Sequence, residues 1–172
     1  SIDTPESWDL SVTQDLSDAW KVYAGSTWTR WSRLKDITVQ NKGVTMANAG
    51  AGGAQAFTTI KEEQNWHDTW AYAIGTSYQL NKQWVLRTGL TWDQSPTNNE
   101  NRSPRIPTGD RTIFSLGAGY AVNENLTIDA AYSYLKEESV KVDDQKAALG
   151  SYYSSKYENS ANGFAVGATY KF

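Results

Sequence analysis

The sequence has no cysteine and almost no histidine. Among its 172 residues there is no Cys and a single His, His67. Without Cys there is neither a disulfide framework nor a thiolate for metal or redox chemistry. One His, with acidic pairs that fall on or near loops, does not supply an activated nucleophile, a base and an orienting group. We therefore expect a protein that is not an enzyme and needs no cofactor or metal.

Long apolar runs and a surplus of basic residues are also missing. No stretch approaches the roughly 18 apolar residues that a transmembrane helix needs. The net charge is −3 and 20% of the residues are charged, so we expect no nucleic-acid partner. A polar average composition is, however, typical of a membrane β-barrel with a wet interior and long loops.

What the sequence does contain is strict alternation, most clearly over its last eleven residues, 162–172. One face carries Phe164, Val166, Ala168, Tyr170 and Phe172, and the other carries Gly163, Ala165, Gly167, Thr169 and Lys171. A period of two predicts a β-strand. An apolar face opposite a face of small and polar residues is what a barrel strand between lipid and a polar lumen requires.

Six further segments show the same alternation, which brings the predicted strands to about seven. We expect the second to continue past Trp31 to Val39, and the third to run from about Phe57 to Leu80. The clearest parts of the six are residues 8–13, 20–29, 70–79, 84–93, 114–122 and 126–134. In each of them the apolar and aromatic residues share one face, which we assign to the outside of the barrel.

The aromatic residues are unevenly distributed by type, with eight Trp and ten Tyr but only four Phe. Amphipathic rings are favoured where one end is apolar and the other wet, as at the two borders of a membrane. Several of them fall at the ends of predicted strands. We interpret them as two aromatic girdles.

The predicted connections alternate between short and long. Residues 14–19, 80–83 and 122–125 form short turns, whereas residues 35–66, 94–110 and 136–162 form long loops. Outer-membrane barrels have short periplasmic turns and long extracellular loops. This pattern predicts an all-β fold, an antiparallel transmembrane β-barrel, with a periplasmic C-terminus. A soluble up-and-down sandwich is the alternative, and it would have to bury the aromatic faces against each other.

Two neighbouring stretches carry a family resemblance. Residues 87–96, RTGLTWDQSP, and residues 101–111, NRSPRIPTGDR, resemble the long-chain fatty acid transporters of Gram-negative outer membranes, the FadL family. Residues 28–33, 73–78 and 130–134 and the terminal Phe172 are similar to family positions in the same order. The resemblance therefore spans nearly the whole chain.

The resemblance implies a larger barrel than this chain can form. The family barrel has fourteen strands and an N-terminal plug domain, so residues 1–172 resemble the C-terminal half of one barrel domain without the plug and first strands. An open seven-stranded sheet would leave unpaired edges in lipid, where each unsatisfied backbone group costs several kcal/mol. We expect the remainder of the barrel to come from sequence outside this chain or from another chain.

The function implied by the resemblance is passive transport of long-chain fatty acids through a gated barrel with lateral exit. A carboxylate ligand needs a cation. The family has a lysine in the strand after the first long loop of this region. Lys61 is the nearest lysine, although its spacing to Trp66 and Asp68 puts Glu62 at the aligned position.

Lys61, Arg87 and Arg105 are our candidate ligand-binding residues. Arginine suits an anionic head group. The interpretation that we favour for Arg102, Arg105 and Arg111 with Asp110, however, is a structural network that folds the loop into the barrel mouth. We expect Asp129 to pair with a cation on a neighbouring strand.

Two other functions remain open. One is a channel for other hydrophobic compounds, such as aromatic hydrocarbons, or a general porin. The other is a structural or adhesive barrel whose loops bind a partner. In each case we expect an outer-membrane protein in contact with lipid or detergent.

Overall fold

The computed structural model describes residues 4–42, 59–144 and 153–172. The described residues form eleven strands and one short 3₁₀ turn, Trp31–Arg33. The strands are β1 Ser7–Asp15, β2 Trp20–Thr29, β3 Asp36–Gln40, β4 Thr59–Glu63, β5 Thr69–Gln79, β6 Trp84–Asp93, β7 Arg111–Ala121, β8 Leu126–Glu137, β9 Val140–Asp144, β10 Tyr153–Tyr157 and β11 Ser160–Tyr170. In this part of the chain no helix has the length and apolarity needed to cross a membrane.

Seven of the strands form one sheet in the order β1-β2-β5-β6-β7-β8-β11, and every neighbouring pair is antiparallel. These seven strands are the seven predicted segments. The other four form two hairpins, β3–β4 and β9–β10, which lie within long connections. Because the seven strands belong to a single sheet and no second sheet covers it among the described residues, the sandwich alternative is wrong.

The register confirms the predicted faces. Directly paired residues of an antiparallel sheet lie on the same face, and the register pairs Trp8 with Trp28, Trp28 with Trp70, and Tyr72 with Trp92. Further along the sheet it pairs Phe114 with Tyr134. We call this the aromatic face, and it comprises the even-numbered positions of the seven strands. The polar face comprises the odd-numbered positions.

The aromatic face is open rather than packed. Phe164 and Val166 are each 80% exposed, and the only fully buried hydrophobic residue in the described ranges is Val142, in β9. A soluble domain would have to cover such a surface. The sheet therefore has no hydrophobic core of its own among these residues, and the aromatic face needs an apolar medium.

In each of the three short turns a side-chain oxygen accepts a hydrogen bond from a backbone N–H. Ser17, Asn81 and Asn123 each hold the second position of a four-residue turn. The hydroxyl of Ser17 accepts a hydrogen bond from the backbone N–H of Trp20 at 3.1 Å. Asn81 Oδ1 accepts from Trp84 N at 2.9 Å, and Asn123 Oδ1 accepts from Leu126 N at 2.8 Å. Such side chains satisfy backbone donors in tight turns, so each turn is locally determined.

Two strands differ from the prediction, since one ends earlier than expected and the other is divided in two. β2 stops at Thr29, before the 3₁₀ turn, instead of continuing to Val39. The third segment is split into β4 and β5, and its predicted start at Phe57 lies outside the described residues. Asn65, between β4 and β5, has a positive φ of 43°, a conformation that interrupts a strand and that Asn tolerates well. The chain thereby leaves the sheet as the β3–β4 hairpin and returns to it at Thr69.

Candidate ligand-binding site

The polar face carries two ion pairs near the short turns, Lys21–Asp15 between β1 and β2 and Arg87–Asp129 between β6 and β8. Arg87 on β6 and Asp129 on β8 are joined by a hydrogen bond of 2.9 Å between Nη1 and Oδ1. The two strands are not neighbours, since β7 lies between them. Asp129 therefore pairs with a cation, as predicted, but from the strand beyond its neighbour. The side chains remain 49% and 42% exposed, so the pair is accessible from the polar side of the sheet.

Two glycines of β7 make this bridge possible. Gly117 is paired with Arg87, and Gly119 is paired with Asp129. A Cβ at Gly119 would lie 2.7 Å from Asp129 Oδ1 and 2.9 Å from Val85 Cγ1. Any side chain there would push the carboxylate away. Glycine in a strand interior often marks such a close approach.

A second charged group crosses the opposite end of the polar face. Arg111, the first residue of β7, is paired in register with Asp93 on one side and Glu137 on the other. Its Nε lies 3.5 Å from Asp93 Oδ2 and 3.9 Å from Glu137 Oε1. That nitrogen is buried and has no hydrogen-bond partner among the described residues. We call these three residues the rim row; one cation here serves two carboxylates.

Glu137 is the most buried member of the rim row, with 8% of its side chain exposed. Asn159, just before β11, donates a hydrogen bond from Nδ2 to Glu137 Oε2. A buried carboxylate needs such partners because desolvation of the charge is costly. The rim row is thereby tied to the connection that contains the β9–β10 hairpin.

The connection between β6 and β7, residues 94–110, is held by its own hydroxyl groups. The hydroxyl of Ser95 lies 2.9 Å from those of Thr97 and Thr108. Thr97 Oγ1 donates to the carbonyl of Thr108 at 2.9 Å, and Asp110 Oδ1 accepts from Ser95 N at 2.9 Å. Ser95 and Thr97 are buried. The loop is therefore an ordered element.

Arg102 lies at the centre of this loop and is only 8% exposed. Its guanidinium donates to Thr97 Oγ1, to the carbonyl of Thr108 and to Asn99 Oδ1, and it reaches the carbonyl of Lys141 on β9 at 3.5 Å. Burial lowers the pKa of Arg102, and the nearby Asp110 acts in the opposite direction. Arg102 thus belongs to a structural network and is not free to bind an anion.

The loop also packs against the β3–β4 hairpin. His67 N donates to the carbonyl of Pro96 at 3.0 Å, and Asn98 Nδ2 donates to the carbonyl of Asn65 at 2.8 Å. Arg105 Nη1 pairs with Glu62 Oε2 at 2.9 Å. Backbone and side-chain contacts together hold the hairpin and the loop as one unit, which we call the loop cap.

The base of the hairpin is anchored to the strand ends. The Ser32 N–H donates to Asp68 Oδ1 at 2.9 Å, and hydrogen bonds from Ser32 lower the pKa of Asp68. Trp31 and Trp66 meet edge to face, with ring centroids 5.2 Å apart. Glu6 pairs with Arg30 at 2.8 Å, and the hydrogen bond from Arg30 is the main cause that lowers the pKa of Glu6.

The three predicted ligand residues lie in two places. Lys61 and Arg105 are at the loop cap, where Lys61 Nζ lies 3.5 Å from Asp36 Oδ2. Arg87 is six residues from Asp93 along β6, which is about 20 Å in an extended strand. Each of the three has an acidic partner. They are not brought together as one site.

The structure distinguishes Lys61 from Glu62 by face. Lys61 pairs with Thr38 in the hairpin, whereas Glu62 pairs with Ile37, so the two side chains lie on opposite faces of this ribbon. Glu62 is the residue that contacts Arg105, an arginine of the adjacent loop.

The rim row was missed as a candidate site by the sequence reasoning. Alternation alone places Asp93 on the polar face, but Arg111 stands at the border between loop and strand. Its two partners become neighbours only when the registers of β6, β7 and β8 are known. A signal was present, since acidic residues occur at the ends of the strands on either side of Arg111.

Comparison with known proteins places this geometry in a family. The whole chain, residues 1–172, matches the outer membrane protein transport proteins (OMPP1/FadL/TodX). The chain belongs to this family. It is therefore an outer-membrane protein, and its sheet is part of a transmembrane β-barrel that these residues do not close. In such barrels an apolar face is turned toward lipid and a polar face lines the lumen.

Curated relatives cover the chain completely or nearly so. The long-chain fatty acid transport protein of Escherichia coli O6:H1 is 29% identical over 172 residues, which is 100% of this chain and 35% of that protein. Outer membrane protein P1 of Haemophilus influenzae is 32% identical over 92% of this chain and 31% of its own length. The chain thus spans about a third of the relatives that it matches.

Solved structures agree with the fold. A Pseudomonas aeruginosa FadL homologue superposes with a TM-score of 0.80 and 33% identity, covering 96% of this chain and 35% of that chain. The toluene transporter TodX of Pseudomonas putida has a TM-score of 0.62 at 17% identity, with 98% and 35% covered. The second likeness concerns the fold alone.

Proposed function

We propose that the protein to which these residues belong moves hydrophobic compounds, above all long-chain fatty acids, across the outer membrane by passive diffusion through a gated barrel with lateral exit. The curated relatives include long-chain fatty acid transport proteins of Escherichia coli and Salmonella typhi. The observation that carries the proposal for this chain is the presence of three accessible cations, Lys61, Arg87 and Arg105, each paired with a carboxylate that is itself partly exposed.

Arg105 is the cation best placed to meet a ligand first. Its side chain is 78% exposed, whereas that of its partner Glu62 is 32% exposed. An exposed ion pair contributes at most about 1 kcal/mol, so an arriving carboxylate can replace Glu62 at little cost. Arginine offers several donors in a planar fork, which suits a carboxylate.

Lys61 and Arg87 complete the proposed path. Lys61 lies on the same hairpin as Glu62, paired with Asp36, and Arg87 lies deeper in the lumen with Asp129. We propose that the head group of a fatty acid meets Lys61 and Arg105 at the loop cap and Arg87 near the short turns. At each position a ligand carboxylate would take the place of a protein carboxylate.

A second candidate is a channel for uncharged hydrophobic compounds such as aromatic hydrocarbons. It is favoured by the fold likeness to the toluene transporters of P. putida and Ralstonia pickettii. Such ligands carry no carboxylate, so the cations would then serve structure alone. The two candidates therefore differ in how transport responds to removal of a positive charge.

The organisation of the whole protein is also part of the proposal. Residues 1–172 form the C-terminal part of one barrel domain, and the edges of the sheet, β1 and β11, pair with strands that lie outside this chain. The short turns and the C-terminus face the periplasm, the long connections face the exterior, and lipid or detergent covers the aromatic face. This arrangement would satisfy the backbone groups of both edges, which hydrocarbon cannot do.

The test is uptake by a bacterium that lacks its own fatty acid transporter and expresses the full-length protein. We expect uptake of labelled oleate above that of cells with an empty vector. Arg105→Gln should reduce uptake at limiting oleate about two- to fivefold, because the lost pair is solvent-exposed. Uptake of toluene but not oleate, with no effect of Arg105→Gln, would instead support the second candidate.

The matched control is Lys156→Gln. Lys156 is likewise an exposed cation of a hairpin, paired with Glu158 at 2.7 Å, but none of the proposed ligand positions is its neighbour in the sheet or hairpins. Oleate uptake should be unchanged in this variant. An equal loss in both variants would point to a general effect of surface charge and contradict the role given to Arg105.

A further inference from the structure

The lipid-facing surface contains a distinct groove near the short turns. Its volume is about 440 Å³. Thr76 on β5 and Thr88 on β6 are paired in register and form its floor. Larger side chains form the walls, namely Trp20, Tyr78, Leu86 and Leu116. A pair of short side chains among long ones thus leaves a depression in the aromatic face.

The floor is apolar although both of its residues carry hydroxyl groups. Thr88 Oγ1 donates to the carbonyl of Ser115 at 3.0 Å, and Thr76 Oγ1 donates to the carbonyl of Lys21 at 2.8 Å. The hydroxyls are therefore satisfied by backbone groups. They need no water, which is what a surface in hydrocarbon requires.

One wall of the groove is held in place by a hydrogen bond. Trp20 Nε1 donates to Thr76 Oγ1 at 2.7 Å. The bond links β2 to β5 and fixes the indole beside the floor. At a membrane border, water can accept the hydrogen bond of an indole N–H. In this groove Thr76 is the acceptor instead, and the bond holds the Trp20 ring at the side of the depression.

The groove begins at the membrane border. Trp20 and Trp84 are the first residues of β2 and β6, in the aromatic girdle beside the short turns. Thr76 and Thr88 lie two residues deeper than Tyr78 and Leu86 along their strands, which is about 7 Å. A chain lying in the groove would therefore enter from the interface and point toward the middle of the bilayer.

A cation lies in the turn directly above. Residues 80–83 join β5 to β6, the two strands that carry the floor, and they include Lys82. No ion pair of Lys82 occurs within the part of the chain that the structure describes. An unpaired cation at the end of an apolar groove matches a ligand with an anionic head and a hydrocarbon tail.

We propose that this groove is a binding site for one acyl chain of a membrane phospholipid, whose phosphate lies at Lys82. The groove is continuous with the surface that lipid already covers, so a lipid reaches it without leaving the bilayer. The proposal depends on the family membership and not on which compound the lumen carries. It concerns the outside of the barrel, away from the proposed path of transport.

The test uses the full-length protein in nanodiscs that contain a phosphatidylethanolamine with a diazirine on one acyl chain. After illumination, mass spectrometry of peptides locates the cross-links. We expect a severalfold enrichment on the peptides of Trp20, Tyr78 and Leu86 over the lipid-facing peptide around Ala130. An even distribution over the aromatic face would show ordinary solvation by lipid and overturn the proposal.

Two substitutions at one position separate shape from chemistry. Thr88→Leu fills the floor, and the enrichment should be lost. Thr88→Val removes the hydroxyl but keeps the size, and the enrichment should remain. Ala130→Leu, on the aromatic face of β8, is the control for added bulk and should leave the groove signal unchanged. Equal labelling in Thr88→Leu and Thr88→Val would contradict a shaped site.

The head group and the competing occupants have their own experiments. Lys82→Gln should weaken the enrichment, and a diacylglycerol probe without phosphate should show less of it than the phospholipid. If a modest excess of free oleate removes the signal while phospholipid does not, the occupant is the cargo and the proposal fails. Cross-links between two protein copies at this face would likewise exclude a lipid occupant.

Discussion

The two ends of the polar face hold charge in different ways. Near the short turns, Arg87 and Asp129 form a one-to-one pair at 2.9 Å on regular strands. At the other end, Arg111 lies between two carboxylates at 3.5 and 3.9 Å, and the adjoining loop cap adds the buried Arg102. The first arrangement depends on space left by two glycines, and the second on connections that fold back over the sheet.

The difference shows that register alone positions the charges near the short turns, whereas connections that fold back over the sheet position those at the other end. Arg87 and Asp129 lie above Gly117 and Gly119 on regular strands. In the rim row both contacts are longer, and one cation lies between two carboxylates. Exchange of a carboxylate at little cost is expected at the exposed Arg105–Glu62 pair of the loop cap, where the arginine side chain is 78% exposed.

A side chain in the space that Gly119 leaves beneath Arg87 and Asp129 should have the largest effect on stability. Gly119→Val would place atoms within 2.7 Å of Asp129 Oδ1 and 2.9 Å of Val85 Cγ1. We expect a loss of about 1–3 kcal/mol in unfolding free energy, as for other overpacked sites. Urea unfolding of the full-length protein, monitored by the shift in electrophoretic mobility of folded barrels, measures it.

Gly25→Val is the matched control for this change. Gly25 lies on the same face of the sheet, in β2 between β1 and β5, and a Cβ there would be at ordinary contact distance, 3.5 Å from Leu10 O and 4.0 Å from Ser11 Cβ. The unfolding free energy of this control variant should change by less than about 0.5 kcal/mol. Equal destabilisation in both variants would mean that loss of glycine itself, and not the space beneath Asp129, is responsible.

Removal of Arg102 should open the loop cap while the strands persist. Arg102→Met leaves the carbonyl of Thr108 and the hydroxyl of Thr97 with fewer donors, at a cost on the order of 1–3 kcal/mol. Hydrogen exchange should become faster in residues 94–110 and unchanged in β6 and β7. The exposed Arg105→Gln serves as control; uniformly faster exchange over the strands would contradict a local role.

Double-mutant cycles should show directly which end of the polar face has the stronger ion pair. For Arg87 and Asp129 we expect a coupling of about 0.5–1 kcal/mol, the range of accessible pairs with good geometry. For Arg111 and Asp93 it should be smaller, because the contact is longer and Glu137 can take over the cation. Unfolding of the single and double Gln and Asn variants provides both values, and a larger coupling at the rim would refute the comparison.

The smallest predicted effect is that of acid on the contact between Asp68 and Ser32, which anchors the β3–β4 hairpin. Because the pKa of Asp68 is lowered by Ser32, its contribution is complete above the ordinary pKa of an aspartate and is lost as pH falls through the depressed value. Pepsin digestion of the hairpin, divided at each pH by the digestion of an unstructured reference peptide, should therefore be constant down to about pH 4 and increase below it. Asp68→Asn should lose this dependence, since the amide oxygen accepts the same bonds without titrating.

The extent of prediction from sequence differs between local and long-range features. Alternation over short windows predicted all seven strands and their faces, because the period of two is a local property of an extended chain. The short turns at residues 14–19, 80–83 and 122–125 followed from the short gaps between these windows. In contrast, the exits of the chain at Thr29 and Asn65 interrupt an alternation that continues in the sequence, so periodicity extended both strands too far.

The candidate site was predictable only in part. Arg87 and Asp129 were assigned to the correct face, but their contact spans a strand and depends on two registers, β6–β7 and β7–β8. Glu62 rather than Lys61 faces Arg105 because of the hairpin register, in which a slip of one residue would reverse both side chains.

The sequence by itself thus determined the strands, the composition of their two faces and the turns, because each depends on neighbours within a few residues. Only the tertiary structure decided which cation meets which carboxylate, why Gly119 must be small, and that Thr76 and Thr88 meet to form a groove. Those relations join residues far apart in the chain, and the register that brings them together is a property of the whole sheet.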